Sequence, residues 1–226
     1  MLKSQFISTI THEFKTPLTV IRTSTHLLRQ KADKLTKEDQ LRRIDRIDDQ
    51  VTRLNNMVDD IVQLNRTGSY GYQPEWDEID LKKLINDIVD DMQAAYEERV
   101  NINASIDLQD DSYYQLDSTL SNQIISNLLS NAIKYSHEGG EVYLDCHTDE
   151  QNIIIKVSDR GIGIPKSDQP FLFNDFFRAR NVETRPGIGF GLTIVRQAVK
   201  ALDGELLFES QENIGTTFTI ILPIKT

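Results

Sequence analysis

The chain of 226 residues contains one cysteine, Cys146, and one tryptophan, Trp76. A single thiol excludes an internal disulfide and a cysteine-based metal cage, so Cys146 reads as an apolar strand residue. Basic side chains are in deficit, 25 against 35 acidic ones, for a net charge of -10. Broad binding to nucleic acid needs a basic face. Nucleic acid is therefore not an expected partner, and any phosphate must be held locally. No run of 18 apolar residues is present, the minimum for a membrane-crossing helix. Lys3, Ser4 and Gln5 follow Met1 where a signal peptide would place its apolar core. The chain reads as soluble and cytoplasmic, with no membrane contact of its own, and its length suits one large or two modest domains.

Two helical stripes occupy the first part. Ile7, Ile10, Phe14, Pro17, Ile21, Ser24 and Leu28 follow one another in steps of three and four, as the a and d positions of a heptad do. Ile44, Ile47, Val51, Leu54, Val58 and Ile61 do the same. The polar stretch from Gln30 to Lys37 between them predicts an antiparallel helical hairpin. A lone hairpin has too little core, so pairing with a second copy into a four-helix bundle is expected. The stretch "TGSYGYQPEWDE", residues 67–78, breaks the second helix with two glycines and a proline and reads as a linker.

Beyond it the pattern is mixed. Residues 81–96 and 120–135 read as helices, as does the stretch near 191–202. Strands are expected at 100–108, 113–117, 142–147, 153–157, 205–209 and 216–222, with a glycine-rich loop over 159–190. Strands and helices without regular βαβ alternation favour an α/β sandwich with helices on one face of a mainly antiparallel sheet. The whole is then an α+β chain of two domains: residues 1–67, a linker over 68–78, and residues 79–226.

His12 falls at heptad position f, the face farthest from the packed seam. An adjacent carboxylate, Glu13, can hold Nδ1–H and leave Nε2 as the nucleophilic nitrogen. Pro17 forfeits a helical hydrogen bond at a cost of roughly 3 kcal/mol, which a plain structural hairpin need not bear. A bend beside a reactive side chain would account for it. His26, His137 and His147 belong to no such pattern.

In "NQIISNLLSNAIKYS", Asn127, Asn131 and Lys134 share one helical stripe while Ile124, Leu128, Leu129 and Ala132 form another. Asparagine is a mediocre helix former. An amide oxygen suits Mg²⁺, which takes its few non-water ligands from a side chain and phosphates, and Lys134 would add a charge for those phosphates. "SDRGIGIP" places Asp159 after an apolar strand with Gly161 and Gly163 close behind, where a carboxylate could accept a hydrogen bond from the exocyclic amine of a base. "GIGFGLTIV" sets Gly187, Gly189 and Gly191 before a helix, where freed backbone N–H groups and the helix dipole meet phosphate oxygens. A Rossmann dinucleotide site is disfavoured, because position 192 is Leu instead of the third glycine and polar "NVETRP" stands where a strand is required.

"STITHEFKTPLTVI" closely resembles the H-box of the sensor histidine kinases of two-component systems, with His12, Glu13, Lys15, Thr16, Pro17 and Leu18 in order. The three later segments resemble that family's N-box, G1 and G2 motifs. "FLFNDFFRAR" resembles its F-box through Phe173, Phe176, Phe177 and Arg178, and "GTTFTIILP" its closing strand. The likeness runs from Ser4 to Pro223. It implies a dimeric hairpin joined to an ATP-binding domain of the Bergerat (GHKL) type, with ATP and Mg²⁺ as cofactors.

Carried over by position, the resemblance makes His12 the phosphoacceptor and Glu13 the group that orients it. Asn131 becomes the Mg²⁺ ligand, with Asn127, Lys134 and Tyr135 around phosphates and ribose. Asp159 would bind the adenine amine above Gly161 and Gly163. Residues 174–189 would form an ATP lid with Arg178 and Arg185 near phosphate and Phe173 and Phe176 as apolar anchors. Gly187, Gly189, Gly191 and Leu192 would face the triphosphate. The expected partners are a second copy and the receiver domain of a response regulator, and Thr16, one turn after His12, would serve a phosphatase role on that regulator. The parent protein would be a longer, membrane-anchored bacterial sensor of which this is the cytoplasmic part. Two alternatives are an inactive binding scaffold, which would need a broken motif, and a simple ATPase related to mismatch-repair or chaperone ATPases, which would lack the His12 hairpin.

Overall fold

A computed structural model describes residues 2–31, 34–68, 73–97, 99–109, 112–174, 177–182 and 189–225. It divides into two compact units, Met1–Asn65 and Arg66–Thr226.

The first unit contains two long helices, α1 (Leu2–Lys31) and α2 (Lys37–Gly68). The helix α1 runs unbroken past Pro17. From Phe14 onward its seam follows the heptad expectation: Pro17 and Ser24 are buried and Phe14, Ile21 and Leu28 half-buried, while Lys15, Thr16, Leu18 and Thr19 are exposed; the side chains of Ile7 and Ile10, like that of Ile61 in α2, lie outside the described residues. Thr19, Thr23 and Thr25 return their hydroxyls to the carbonyls of Lys15, Thr19 and Ile21 at 2.7, 2.8 and 3.0 Å, which lets threonine sit in a helix without seeking other partners. Thr36 starts α2 as an N-cap, its Oγ1 accepting from the Asp39 amide at 3.1 Å.

The seam of α2 departs from the expectation. Ile47, Gln50 and Leu54 are half-buried and Met57 is buried, whereas Ile44, Val51 and Val58 are 45%, 43% and 47% exposed. Within one chain the packed stripe is thus Ile47–Gln50–Leu54–Met57, and the three a positions form a second, uncovered apolar stripe with Leu41 and Val62.

The second unit is an α/β sandwich. Its elements are β1 (Asp77–Asp80), α3 (Leu81–Tyr96), β2 (Val100–Asp107), β3 (Tyr113–Leu116), α4 (Ser118–Tyr135), β4 (Gly140–Thr148), β5 (Asn152–Asp159), α5 (Gly191–Ala201), β6 (Glu205–Gln211) and β7 (Gly215–Pro223). Five strands form one sheet in the order β2-β4-β5-β7-β6, with β2 parallel to β4 and the other pairs antiparallel. The strand β1 was not foreseen. It takes Asp77 and Glu78, the end of the expected linker, into an antiparallel pair with β3, opposite Leu116 and Gln115.

Alternation explains which sheet face is covered. Leu144, Val157 and Phe218 are register neighbours and all buried, as are Cys146, Ile155 and Ile220. Against them lie Leu81, Ile85, Leu120, Ile124, Leu128, Val195 and Val199 from α3, α4 and α5, in one continuous core. Burial pushes the Cys146 thiol up to about 12, so it is an inert apolar strand residue. Intervening residues such as Asp145, Lys156 and Thr219 point to the other, more open face.

Candidate functional site

The site grows from α4. Asp117 caps it, with Oδ1 accepting from the Leu120 amide at 2.9 Å. Ile124, Leu128, Leu129 and Ala132 are buried, which leaves Asn127, Asn131 and Lys134 half-buried on a separate stripe. The Asn127 amide is oriented by its own helix, Nδ2 donating to the Gln123 carbonyl at 2.8 Å. Its Oδ1 is thereby turned outward, to where the helix α5 begins.

Gly191, the first residue of α5, lies close against the amide of Asn127, which would have to shift to admit a side chain. A Cβ at this position would lie 2.9 Å from Asn127 Oδ1 and 3.6 Å from Asn131 Nδ2. Gly189, just before it, has φ +84°, and Phe190 anchors the turn by full burial. No side chain caps α5 and its first turn holds no acidic residue. Its leading N–H groups and positive dipole end therefore meet the asparagine stripe, an arrangement suited to an anion. Leu192 is half-buried beside them.

At the other end of α4 the loop after β5 is seated on the helix terminus. Ser136 pairs with Gly161 as an isolated bridge, and the Ile162 amide donates to the Tyr135 carbonyl at 3.2 Å. A Cβ at Gly161 would stand 2.1 Å from that carbonyl oxygen. This brings Tyr135, Gly161 and Asp159 together. Asp159 Oδ1 accepts from the Gly161 amide at 2.9 Å. Burial pushes the Asp159 carboxyl up to about 6, against the opposing pull of the Gly161 and Thr216 amides and the charge of His137. Gly163 adopts φ +59° with its Cα against the Gln211 carbonyl, where a Cβ would be only 2.0 Å away. Lys134 sits over the Tyr135 ring at 5.0 Å, and its carbonyl accepts from Arg99 at 3.1 Å.

Part of the expected lid is fastened to the body of the unit. Within the lid, Arg178, expected near phosphate, donates to the Val182 carbonyl at 2.7 Å. Arg180 donates its backbone amide to Asp168 Oδ2 at 2.8 Å and its side chain to Asp168 Oδ1 at 3.0 and 3.1 Å. The amide of Arg180, then its guanidinium, holds the Asp168 carboxyl below the usual range. Asn181 Nδ2 donates to the Gly163 carbonyl at 2.9 Å. Phe173 packs edge-on against Phe208, as an apolar anchor should, with centroids 5.5 Å apart. Gly187, Arg185 and Phe176 lie outside the described residues, as do the side chains of His12 and Glu13, whose backbone belongs to α1. Thr16 is exposed on that helix, one turn after His12.

Sequence reasoning missed Asp117, Asp168, Arg180, Asn181 and the influence of His137. Only Asp117 carries a local signal, since an acidic residue immediately before an amphipathic run marks a helix start.

Residues 2–69 match the family described as the His Kinase A phospho-acceptor domain, and residues 116–226 match the histidine kinase-, DNA gyrase B- and HSP90-like ATPase family. The chain belongs to the sensor histidine kinases of two-component systems. It is 33% identical, over 99% of its own length, to the sensor histidine kinase WalK of Bacillus subtilis (strain 168), of which it spans 37%. Other curated relatives are longer too, and the chain spans between 19% and 57% of them. Among solved structures, the histidine kinase AdeS of Acinetobacter baumannii shares the fold with a TM-score of 0.72 at 23% identity, over 95% of this chain and 98% of that one. The histidine kinase ThkA, solved in complex with the response regulator protein TrrA, shares it with a TM-score of 0.73 at 22% identity, over 98% of this chain and 61% of that one. The histidine kinase core thus combines a helical hairpin region with a GHKL-type ATP-binding unit.

Proposed function

We propose that this histidine kinase core moves the γ-phosphoryl group of ATP to Nε2 of its own His12 and from there to an aspartate of a separate receiver domain. The observation that carries the reading is the docking of the α5 N-terminus on the asparagine stripe of α4, where Gly191 lies close against the amides of Asn127 and Asn131. Phosphoryl transfer asks a protein mainly for alignment and charge neutralisation, and this corner offers both.

The residues fit Mg²⁺. Amide oxygens are hard, neutral donors, and the cradle at Gly191, which no side chain fills, lies against the Asn131 amide, 3.6 Å from a Cβ built there. Asn131 would hold the ion, which when bound would neutralise phosphate charge. Lys134, the N–H groups of Gly189, Gly191 and Leu192, and Arg178 and Gly187 from the lid would hold the phosphates, while Tyr135 and Asn127 would line the ribose. Asp159 would accept the adenine amine over Gly161 and Gly163. His12 Nε2 would attack the γ-phosphorus as the bond to the β-phosphate oxygen breaks and ADP departs. Glu13 would hold the proton on Nδ1 and offset the ring's growing positive charge, a contribution of about 10² to 10⁴ in rate.

Residues 1–67 would form the dimerisation and phosphotransfer hairpin, followed by a linker that ends at β1 and by the ATP-binding domain. The uncovered stripe of Ile44, Val51 and Val58 would be covered by a second copy, completing a four-helix bundle. Exposed Thr16 would position water for hydrolysis of the phosphorylated regulator. The parent protein would be a bacterial membrane-anchored sensor with this part in the cytoplasm. Among the described residues no helix is long and apolar enough to cross a membrane.

Incubation with γ-labelled ATP tests the reading. Acid-labile, alkali-stable label is expected on the wild type and none on His12→Gln. Phosphate release that persists in His12→Gln without any protein label would instead mark a simple ATPase.

A further inference from the structure

The chain enters the ATP-binding unit through two fastened residues. The Glu75 amide donates to Asp117 Oδ2 at 2.8 Å. Lys225 Nζ lies 3.4 Å from the centroid of the Trp76 ring and is held by Asp203 at 2.8 Å. A cation over an indole face is attracted by the ring's quadrupole, and the Asp203 carboxylate also holds it. The preceding residue, Ile224, donates its amide to the Gln151 carbonyl at 2.7 Å, so the segment carrying Lys225 is itself tied to the β4–β5 turn.

Asp117 has a double role. It is only 2% exposed, and while Oδ2 holds Glu75, Oδ1 caps α4. Capping needs one acceptor oxygen, which asparagine supplies as well as aspartate. The bond to Glu75 is therefore additional to what the helix requires. It joins the incoming chain to the first turn of the helix that carries Asn127 and Asn131.

We propose that Asp117 is a positioning residue which, with the Trp76–Lys225–Asp203 clamp, latches the linker to the nucleotide-binding helix and so orients the ATP-binding unit on its tether for phosphoryl transfer. The inference rests on the histidine kinase reading above. A latched tether leaves the phosphoryl donor fewer orientations, which raises its effective concentration at the acceptor.

Trp76 is the sole tryptophan, so its fluorescence reports the latch. Asp117→Asn keeps a cap oxygen for Leu120 but turns an NH₂ group toward the Glu75 amide, and Lys225→Met removes the cation without touching α4. Both variants should raise acrylamide quenching of Trp76 and slow His12 phosphorylation by about three- to tenfold through lost orientation. Both should bind a fluorescent ATP analogue within about twofold of wild type, because the helix cap survives. Asp117→Ala, which also loses the cap, should weaken nucleotide binding as well. Unchanged quenching, or phosphorylation as fast as or faster than wild type in the first two variants, overturns the latch. Failure of the wild type to bind nucleotide or label His12 would overturn the histidine kinase reading, and the latch with it.

Discussion

Replacing Asp159 with asparagine should make the nucleotide-free protein more stable at alkaline pH while removing its proposed hold on adenine. The folded carboxyl titrates at about 6 against an ordinary 3.8. Between those values the native state binds the proton more tightly than the unfolded chain, so stability is fully present below the lower value and falls as pH rises through the upper one. At pH 8 the ionised, partly buried group costs about 3 kcal/mol. Asparagine removes that cost but keeps only one acceptor oxygen for the amides of Gly161 and Thr216, and a lost hydrogen bond costs about 1 kcal/mol. The net gain at pH 8 is about 2 kcal/mol.

The cost of the lost bond cancels in the change with pH. Wild type should lose roughly 1 to 2 kcal/mol relative to Asp159→Asn between pH 5 and pH 8. Urea unfolding followed at Trp76, which lies in the ATP-binding unit, measures this directly. The variant should also bind the ATP analogue at least about 10²-fold more weakly, since a site built to pair a polar group rejects a mismatch strongly. A stability difference that stays constant from pH 5 to pH 8 would refute the assignment of a raised carboxyl.

Three further outcomes are expected. Gly163→Ala forces a side chain into φ +59° and against the Gln211 carbonyl, and should destabilise the ATP-binding unit by about 2 to 4 kcal/mol in urea titration. Asp168→Asn weakens the hold on Arg180; it should lower the melting temperature at neutral pH and raise the KM for ATP, with the thermal difference shrinking below about pH 4 as the wild-type carboxylate itself protonates. Thr16→Ala should phosphorylate His12 at the wild-type rate yet slow decay of the phosphorylated regulator by about tenfold or more, a typical loss when a water-positioning group is removed; equal decay would end the phosphatase proposal.

Much of the molecule was legible in the residues because its regular parts repeat with the period of their own geometry. The seam of α1 through Pro17 and Ser24, the alternating Val142, Leu144 and Cys146, and the divided faces of α4 are local patterns, each written within a few turns or pleats. The stripe of α2 was only half legible. Its apolar residues exceed what one partner helix can cover, and heptad spacing does not say which of two faces, Ile44–Val51–Val58 or Ile47–Leu54–Met57, meets the helix of the same chain.

The site divides along the same line. Its residue types and their order were set by sequence: a histidine beside a carboxylate, amides along a helix, glycines before a helix. What only the folded chain decided is how they meet. The seating of Gly161 on the end of α4, the amide of Arg180 on Asp168 and the tie between Glu75 and Asp117, 42 residues apart, each use a backbone N–H that nearly every residue possesses. Such groups leave no mark in a sequence. They acquire partners only when the sheet and its three helices close on a common core and fix which amide arrives beside which oxygen.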